Sequence, residues 1–163
     1  RLCNALRSDV DWILLDSPAG IERGFRNAIA PADEILIITN PEISAVRDAD
    51  RIIGLIEAEE KGPGKLIINR LDYKMVQQKN MISAEDVVDL LAIQLLGIVP
   101  EDKNVIISTN RGVPVSVEDN SLAGKAFRNI ARRLQGEAVP FLDLEGSQGL
   151  LKRVTNLFGS GGN

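Results

Sequence analysis

Four short apolar runs constrain the fold of this chain more than any other feature of its sequence. They are WILL at 12–15, ILII at 35–38, LII at 66–68 and LLGIV at 95–99, and none of them alternates apolar with polar residues. Continuous apolar runs of this length are typical of strands buried on both faces, as in a parallel sheet that helices cover. Because segments with helical spacing separate the runs, the sequence predicts an α/β fold with a mostly parallel sheet and helices on both faces.

Three segments have the spacing and the end signals of helices. Residues 44–60 place apolar side chains on one face, with Ser44 as a candidate N-cap. Residues 83–93 begin with a capping box in which an Asp replaces the usual Glu, and a third helix is predicted at about 121–134. The apolar faces comprise Val46, Ala49, Ile52, Ile53 and Ile56 in the first helix and Leu122, Ala126, Phe127, Ile130 and Leu134 in the third.

Composition excludes several classes of function. The 163 residues include no histidine, which removes His-based catalytic triads and His metal sites. The single cysteine, Cys3, cannot form an internal disulfide, as expected in a reducing compartment. A net charge of −4 argues against general nucleic-acid binding, and no apolar run is long enough to span a membrane. No signal peptide is visible, and the chain begins with Arg rather than Met, so we expect further residues upstream.

Polar residues follow each of the four apolar runs. They are Asp16-Ser17, Thr39-Asn40-Pro41-Glu42, Asn69-Arg70 and Pro100-Glu101-Asp102. The carboxyl ends of parallel strands share one edge of a sheet, which is where open α/β folds bind ligands. The sequence therefore predicts a ligand site at that edge. For any single cluster, an ordinary polar surface loop is an equally good interpretation.

Asp16 is the residue in these clusters with the clearest chemistry. A carboxylate at a strand end is suited to a magnesium-nucleotide site, because Mg²⁺ prefers oxygen ligands and often binds through its own waters. The following Ser-Pro-Ala-Gly bends the backbone and could present N–H groups to a phosphate. The alternative is that Asp16 caps a helix, which the residues alone favour.

The sequence contains no phosphate-binding loop of the usual kind. Such a loop needs a Gly-rich turn after a strand, followed by Lys and then Ser or Thr at the start of a helix. Gly64-Lys65 is followed by Leu and leads into a strand, and Gly124-Lys125 is followed by Ala within a helix. Neither has the required context, so catalysis by this chain as it stands is in doubt.

The last fifteen residues have the pattern of a small amphipathic helix. The apolar residues fall within about 120° of one another on a helical projection. These are Leu150, Leu151, Val154, Leu157 and Phe158, with the basic Lys152 and Arg153 off that face. The pattern predicts a helix that lies on an anionic membrane surface. A terminal helix that packs back onto the domain is the alternative.

Several segments in order resemble the MinD family of septum-site-determining ATPases. They are WILLDSPAGIE (12–22), NPEISAVRDADRIIG (40–54), INRL (68–71), GIVPED (97–102), STNRGVPV (108–115) and AGKAFRNIARRL (123–134). This is a deviant Walker A family that includes ParA and the nitrogenase iron protein, and the similarity covers nearly the whole chain. It implies a P-loop NTPase-like fold whose first strand, phosphate-binding loop with its second lysine and switch I lie upstream, so that this chain is the carboxy-terminal two-thirds.

The resemblance also implies roles for the residues at the predicted edge, with ATP and Mg²⁺ as ligands. Asp16 corresponds to the acid that binds the hydration shell of the magnesium ion. Asn69 corresponds to the residue that reads adenine, with Arg70 packed beside it. Switch II corresponds to Ser17, Pro18, Ala19 and Gly20, and the loop that closes over the base corresponds to Pro100, Glu101 and Asp102. Without the resemblance, Asn69 could satisfy loop backbone, and Glu101 and Asp102 could form a solvated surface.

Dimerisation and partner binding are further implications of the resemblance. Glu42 is expected to reach the nucleotide of a partner subunit in an ATP-bound homodimer. Ser44, Arg47 and Asp48 match the surface where MinC and MinE bind. The implied location is cytoplasmic and peripheral, on the inner face of the cell membrane, or the stroma and inner envelope of a plastid. No specific nucleic acid is expected.

The chain is expected to have three parts: an ATPase-domain segment at 1–140, a linker at 141–148 and a membrane-targeting tail at 149–163. Two other functions remain open from the sequence. One is a catalytically inactive module that binds membrane and partners, and the other is a ParA-like partition protein. The acidic charge and the amphipathic tail disfavour the second of these.

Overall fold

The computed structural model describes residues 2–17 and 23–143. In this part of the chain, helices alternate with three strands that share one sheet. In chain order the elements are α1 Leu2–Leu6, α2 Arg23–Ile29, β1 Leu36–Thr39, α3 Ile43–Ala58, β2 Lys65–Leu71, α4 Tyr73–Gln77, α5 Ala84–Leu91, β3 Gln94–Pro100, α6 Lys103–Asn110, the 3-10 turn η1 Val115–Val117 and α7 Leu122–Leu134.

The sheet is parallel, with the strands in the order β1-β2-β3. Leu36 pairs with Lys65 at the start of β1, and Lys65 pairs in turn with Gln94 at the start of β3. Residues 95–100 of β3 are all buried, as expected for a continuous apolar run with helices on both sides. The predicted α/β fold is therefore confirmed, and three of the four apolar runs coincide with its strands.

The prediction of a buried strand at 12–15 was wrong. This segment has no regular secondary structure, and Trp12, Leu14 and Leu15 are exposed, Leu14 by 83%. A parallel strand can be buried only if another strand bonds to its edge and helices cover its faces. Within the described residues no strand pairs with 12–15, so its apolar side chains stay at the surface.

Two apolar clusters lie on opposite faces of the sheet. On the first face α2, α3 and α5 pack against all three strands, and Ile56, Leu66, Ile68 and Val87 are almost completely buried there. On the second face α7 packs against β2 and β3, where it buries Ile67, Leu96 and Val99. Helices therefore cover both faces as predicted, but the second face is covered mainly over two strands.

Ser83 is the N-cap of α5, as predicted, but Ser44 is not the N-cap of α3. The Ser83 hydroxyl accepts a hydrogen bond from the Asp86 amide at 3.1 Å, which caps α5. Helix α3 instead begins at Ile43, with Glu42 at the N-cap position and no side-chain cap. Ser44 lies inside the first turn because the chain already enters the helix directly after Pro41-Glu42.

Helix α7 approaches the sheet closely through small residues. A Cβ atom on Gly97 of β3 would lie 2.6 Å from Cδ1 of Ile130, so glycine is required where the helix crosses the strand. Ala123 and Gly124 are buried, whereas Leu122 and Phe127, which were predicted for the apolar face, are exposed. The buried stripe is thus rotated from the predicted one because the small residues, not the large ones, permit the close approach.

The longest helix in the described residues, α3, has 16 residues. None of the helices in residues 2–17 and 23–143 combines the length and the apolar character needed to cross a bilayer.

Candidate functional site

Three of the four polar clusters lie at the carboxyl edge of the sheet. Because β1, β2 and β3 are parallel, the residues that end them or follow them share one side: Asn40 to Glu42, Asn69 and Arg70, and Pro100 to Asp102. Helices α3 and α6 begin directly after the first and third of these clusters. The edge therefore combines polar side chains with two helix starts, an arrangement that suits a polar or anionic ligand.

Contacts between Arg70 and Glu101 join the ends of β2 and β3. Nε of Arg70 donates a hydrogen bond of 2.8 Å to Oε2 of Glu101. The amide of Glu101 donates to the carbonyl of Leu71 at 3.0 Å, which extends the pairing past the strand. The hydrogen bond and charge of Glu101 raise the pKa of Arg70, and Glu42 at the end of β1 adds to this effect. Arg70 is thus paired with the carboxylate of Glu101, and the charge of Glu42 acts on it more weakly.

The end of β2 contains an irregularity at Asn69 and Arg70. Ile68 pairs with Ile98 and Leu71 pairs with Pro100, so two residues of β2 stand opposite one residue of β3. Arg70 has a φ of +59°, in the left-handed region that residues with side chains rarely adopt. This bulge lets Ile68 and Leu71 both stay buried while two polar residues occupy the edge.

Asn69 lies at this edge with its side-chain amide available for hydrogen bonding. It is partly buried, and within the described residues its side chain makes no hydrogen bond. An amide carries both donor and acceptor atoms, and it can bind the adjacent donor and acceptor of an adenine edge in a bidentate way. The adenine-reading role of Asn69 therefore stays a prediction, with which its unpaired amide at the edge is compatible.

Asp102 has a structural task that its sequence position did not reveal. Its Oδ1 accepts from the Asn104 amide at 2.8 Å, and its Oδ2 accepts from the Ser121 hydroxyl at 2.7 Å and the Ala123 amide at 3.3 Å. Burial by itself would raise the pKa of Asp102, but these hydrogen bonds outweigh it and hold the pKa below its usual value. Both carboxylate oxygens therefore cap helices, α6 and α7, which leaves Glu101 as the exposed carboxylate of the loop.

The role predicted for Asp16 at the edge is not tested by its contacts in the described residues. Asp16 is exposed, and it makes no hydrogen bond or ion pair with the described strand ends. Ser17 lies beside it, while Pro18, Ala19 and Gly20 lie outside the described residues. An exposed carboxylate with a neighbouring hydroxyl is suited to a hydrated Mg²⁺. Within residues 2–17 and 23–143 no group of three or more acidic or cysteine side chains is close enough to hold a metal ion directly.

The predicted partner surface is exposed along the first turns of α3. Ser44, Arg47 and Asp48 are all accessible, and Ile43 is an exposed apolar residue beside them. Asp48 pairs loosely with Arg51 at 3.9 Å. Glu42, expected to reach a partner's nucleotide, is exposed directly before this helix. The predicted membrane-binding residues from Leu150 to Phe158 lie outside the described residues.

Arg133 is a structurally important residue for which the sequence gives no signal. Its guanidinium donates to the carbonyls of Leu96, Val139 and Pro140, each at 2.9 Å, and lies 4.2 Å from the ring centre of Phe141. Burial lowers the pKa of Arg133. We call this arrangement of Arg133 with residues 139–141 the carboxyl-terminal clasp. It holds the segment after α7 against β3.

The fold defines an open parallel α/β domain with polar residues at the carboxyl ends of its strands, as in P-loop NTPase-like proteins. No family model matches the chain. Among curated proteins, MinD of Synechocystis is 56% identical over 155 residues, which are 94% of this chain and 58% of that protein. MinD of Bacillus subtilis is 43% identical over 161 residues, which are 98% of this chain and 60% of that protein.

Solved structures give the same relationship. MinD of Aquifex aeolicus is 45% identical with a TM-score of 0.81, covering 86% of this chain and 60% of that chain. The MinC:MinD complex of the same organism contains a chain 46% identical with a TM-score of 0.79, covering 85% and 57%. MinD of Pyrococcus horikoshii complexed with Mg-ADP is 27% identical with a TM-score of 0.70, covering 80% and 53%.

The chain belongs to the MinD family. It spans about three fifths of the length of the curated relatives described above, at 58% and 60%.

Proposed function

We propose that this chain forms the base-binding part of a MinD ATPase that places the cell-division site. The observation that carries this proposal is the carboxyl edge, where the uncommitted Asn69 amide lies beside Arg70 and Glu101 at the ends of neighbouring strands. The similarity to a MinD described with Mg-ADP supports a magnesium nucleotide as the ligand. The similarity to MinD septum-site proteins supports the role in division.

In this proposal different residues of the edge bind different parts of ATP. Asn69 reads the base, and Pro100 and Glu101 line its side, while Asp102 keeps their loop in place through its two helix caps. Asp16 and Ser17 would hold Mg²⁺ through its waters. The bound ion supplies charge neutralisation for the phosphates.

Hydrolysis is proposed for the intact protein rather than for these residues alone. Nowhere in the sequence does a Gly-rich turn precede a Lys with Ser or Thr at a helix start. The residues present therefore do not supply the cations that offset charge at the β- and γ-phosphates in P-loop enzymes.

Partner and membrane binding form the second part of the proposal. The exposed start of α3, with Ser44, Arg47 and Asp48, would bind MinC and MinE, and the similarity to a chain in a MinC:MinD complex supports MinC as a partner. Glu42 would reach the nucleotide of a second subunit in an ATP-bound dimer. The tail at 149–163, after a linker at 141–148, would bind the inner face of the membrane.

Base binding can be tested by titrating the chain with a fluorescent ADP analogue in the presence of Mg²⁺. Asn69→Ala is expected to lower the affinity by roughly tenfold, the equivalent of one good polar contact. Asn110→Ala is the matched control, because Asn110 is an exposed asparagine at the far end of α6. Equal affinities of the Asn69 and Asn110 variants would contradict the assignment of Asn69.

Membrane binding can be tested by co-sedimentation with anionic vesicles, with and without Mg-ATP. Leu157→Glu is expected to abolish binding, since it places a charge on the apolar face of the tail. Asn156→Glu adds the same charge on the opposite face and should change binding far less. If both variants bind as the original chain does, the tail is not the membrane contact.

A second candidate function is a membrane- and partner-binding module that does not hydrolyse ATP. The exposed start of α3 would serve such a module, since partner binding there does not require a phosphate-binding loop. Release of phosphate from Mg-ATP by the chain would exclude this candidate, whereas vesicle binding without any phosphate release would support it.

A further inference from the structure

Helix α7 carries a charge opposite to that of the rest of the chain. The 163 residues have a formal net charge of −4, whereas the 13 residues of α7 include four basic and no acidic side chains. The other 150 residues therefore carry a net charge of −8. No acidic residue occurs in the sequence between Asp119 and Glu137, which flank the helix. Positive charge is thus concentrated on one element of an acidic domain.

Three of the four basic residues form a stripe on the outer side of α7. Lys125, Arg128 and Arg132 follow the spacing i, i+3 and i+7 and fall within about 60° of one another on a helical projection. The buried Ala126 and Ile130 lie on the opposite side of the helix, against the sheet. Lys125 and Arg132 are exposed, and Arg128 is partly buried. We call these three residues the basic stripe, and the fourth basic residue belongs to the carboxyl-terminal clasp.

The charges of the basic stripe are available to a partner. Lys125 makes no ion pair within the described residues. Arg132 pairs with Glu137 at 2.8 Å, but both side chains are exposed, by 53% and 46%, and exposed ion pairs contribute little to stability. Nη1 of Arg128 donates to the carbonyl of Ser116, which uses one N–H group and leaves the charge of the guanidinium uncompensated. The stripe is therefore a row of about one cation per turn over about 10 Å.

The chain leaves the described part of the domain beside this stripe. After the clasp, Leu142 packs against the second apolar cluster and lines a small cavity with Ala126 and Asn129, in the middle of α7. Asp143 is the last residue that the structure describes. Position 149 is six residues further on, and a chain of that length spans at most about 20 Å. A surface that binds residues 149–163 is therefore within reach of α7.

We propose that the basic stripe of α7 is a second membrane contact, which binds the phosphates of anionic lipids when the tail at 149–163 is on the same surface. The inference rests on the proposed function, because it takes the tail to be the first contact. Each basic residue near an anionic surface adds to the attraction, which acts over a Debye length of about 10 Å at 0.1 M salt. Since both contacts belong to one chain, the second forms at a high effective concentration.

An anionic membrane fits the distribution of charge better than a nucleic acid does. Domains that bind nucleic acid are usually basic as a whole, whereas the chain outside α7 has a net charge of −8. A membrane contact needs only one basic face, because the acidic parts of the domain can lie away from the lipid. Three cations in a row along a helix axis can also meet a flat layer of phosphates together.

This contact would fix the orientation of the domain on the membrane. Helix α7 packs on the second face of the sheet, and α3 packs on the first. With α7 against the lipid, the exposed start of α3 lies on the far side of the sheet. A partner that binds at Ser44, Arg47 and Asp48 could then reach them from solution while the chain stays on the membrane.

The test compares Lys125→Gln with Lys74→Gln in the 163-residue chain, by co-sedimentation with vesicles that contain phosphatidylglycerol. Each variant removes one positive charge from an exposed lysine, but Lys74 lies in α4, which packs against the first face through Tyr73 and Val76. We expect Lys125→Gln to lower the vesicle affinity by roughly fivefold and Lys74→Gln to leave it nearly unchanged. Neither should change the midpoint of thermal unfolding, since both side chains are exposed.

Salt separates the charged contact from the apolar tail. The difference between Lys125→Gln and the unaltered chain should disappear in 1 M salt, where the Debye length is about 3 Å. Leu157→Glu should reduce binding at low and at high salt, because it acts on the apolar face of the tail. A fivefold loss with Lys125→Gln together with unchanged binding by Leu157→Glu would support the stripe and contradict the tail.

Three outcomes would overturn the inference. If Lys125→Gln and Lys74→Gln bind anionic vesicles equally while Leu157→Glu does not bind, the tail is the membrane contact and the stripe is not. If Lys125→Gln lowers binding to duplex DNA but not to vesicles, the stripe is a nucleic-acid site. If the unaltered chain does not bind anionic vesicles, the proposed membrane binding fails and the second contact fails with it.

Discussion

Ile37 and Ile38 are neighbours in β1 with the same side chain, yet 5% of Ile37 is accessible and 63% of Ile38. Ile37 points to the face where α2 and α3 pack, and it belongs to the larger apolar cluster. Ile38 points to the other face, where α7 packs against β2 and β3. The difference shows that burial along this strand is set by which helix covers each face, not by the residues of the strand.

The largest effect should come from a direct comparison of these two isoleucines. Ile37→Ala is expected to lower the free energy of unfolding by about 2–5 kcal/mol, because it leaves a cavity in a packed cluster. Ile38→Ala should lower it by less than about 0.5 kcal/mol, since a surface side chain loses few contacts. Urea denaturation of both variants measures the difference. Similar losses for the two would mean that the second face of β1 is also covered.

The close approach of α7 on the second face can be broken by adding one methyl group. Gly97→Ala would force Ile130 to move and is expected to cost about 1–3 kcal/mol of stability. Combining it with Ile130→Ala should cost less than the sum of the two single changes, because the smaller side chain makes room. Additive losses in the double variant would show that Ile130 is not what the new methyl group meets.

Asp102 joins the carboxyl edge to the second face, since it caps both α6 and α7, which lie on that face. Asp102→Asn is expected to cost about 1–2 kcal/mol at neutral pH, through loss of charged caps. Because its pKa is lower in the folded chain than in the unfolded chain, Asp102 contributes stability above its unfolded pKa of about 4. That contribution is lost as the pH falls towards the folded pKa.

Denaturation midpoints measured between pH 3 and pH 7 test this dependence. The difference between the original chain and the Asp102→Asn variant should shrink as the pH falls. A difference that stays constant over this range would contradict the role of the ionised carboxylate.

The smallest expected effect is a gain on the outer side of α3. Gly54 lies in this helix with nothing within 4 Å of an added Cβ atom. Gly54→Ala should therefore raise the free energy of unfolding by about 0.5–1 kcal/mol, because glycine is a poor helix former. Thermal unfolding measures the gain. A loss of stability would indicate that the outer side of α3 is covered by something outside the described residues.

The sequence was sufficient to predict those strands and helices that have a continuous local pattern and that also pair with or pack against a neighbouring element. Runs of apolar residues located β1, β2 and β3, and Ser83 located the start of α5. The same reasoning failed at 12–15, where the local pattern resembles that of the three strands. Pairing depends on a neighbouring strand, and a run of apolar residues carries no information about its neighbour.

The sequence predicted which residues lie at the candidate site, but not the contacts and backbone conformations of those residues. The order of strand and polar cluster correctly indicated that Asn69, Arg70 and Glu101 share an edge. It could not show that Asp102 caps two helices, because its partner Ser121 comes 19 residues later. It could not show the left-handed Arg70 either, since no Gly or Asn occupies that position to signal it.

Helix α7 runs the length of the second face, from Ser121 at the edge to the carboxyl-terminal clasp at Arg133. Its 13 residues separate the two ends by about 20 Å. Helix α7 therefore acts as a rigid strut between the carboxyl edge and the clasp. Any shift of Ser121 at the edge would be carried along α7 to Arg133 and to the segment 139–141 that Arg133 holds.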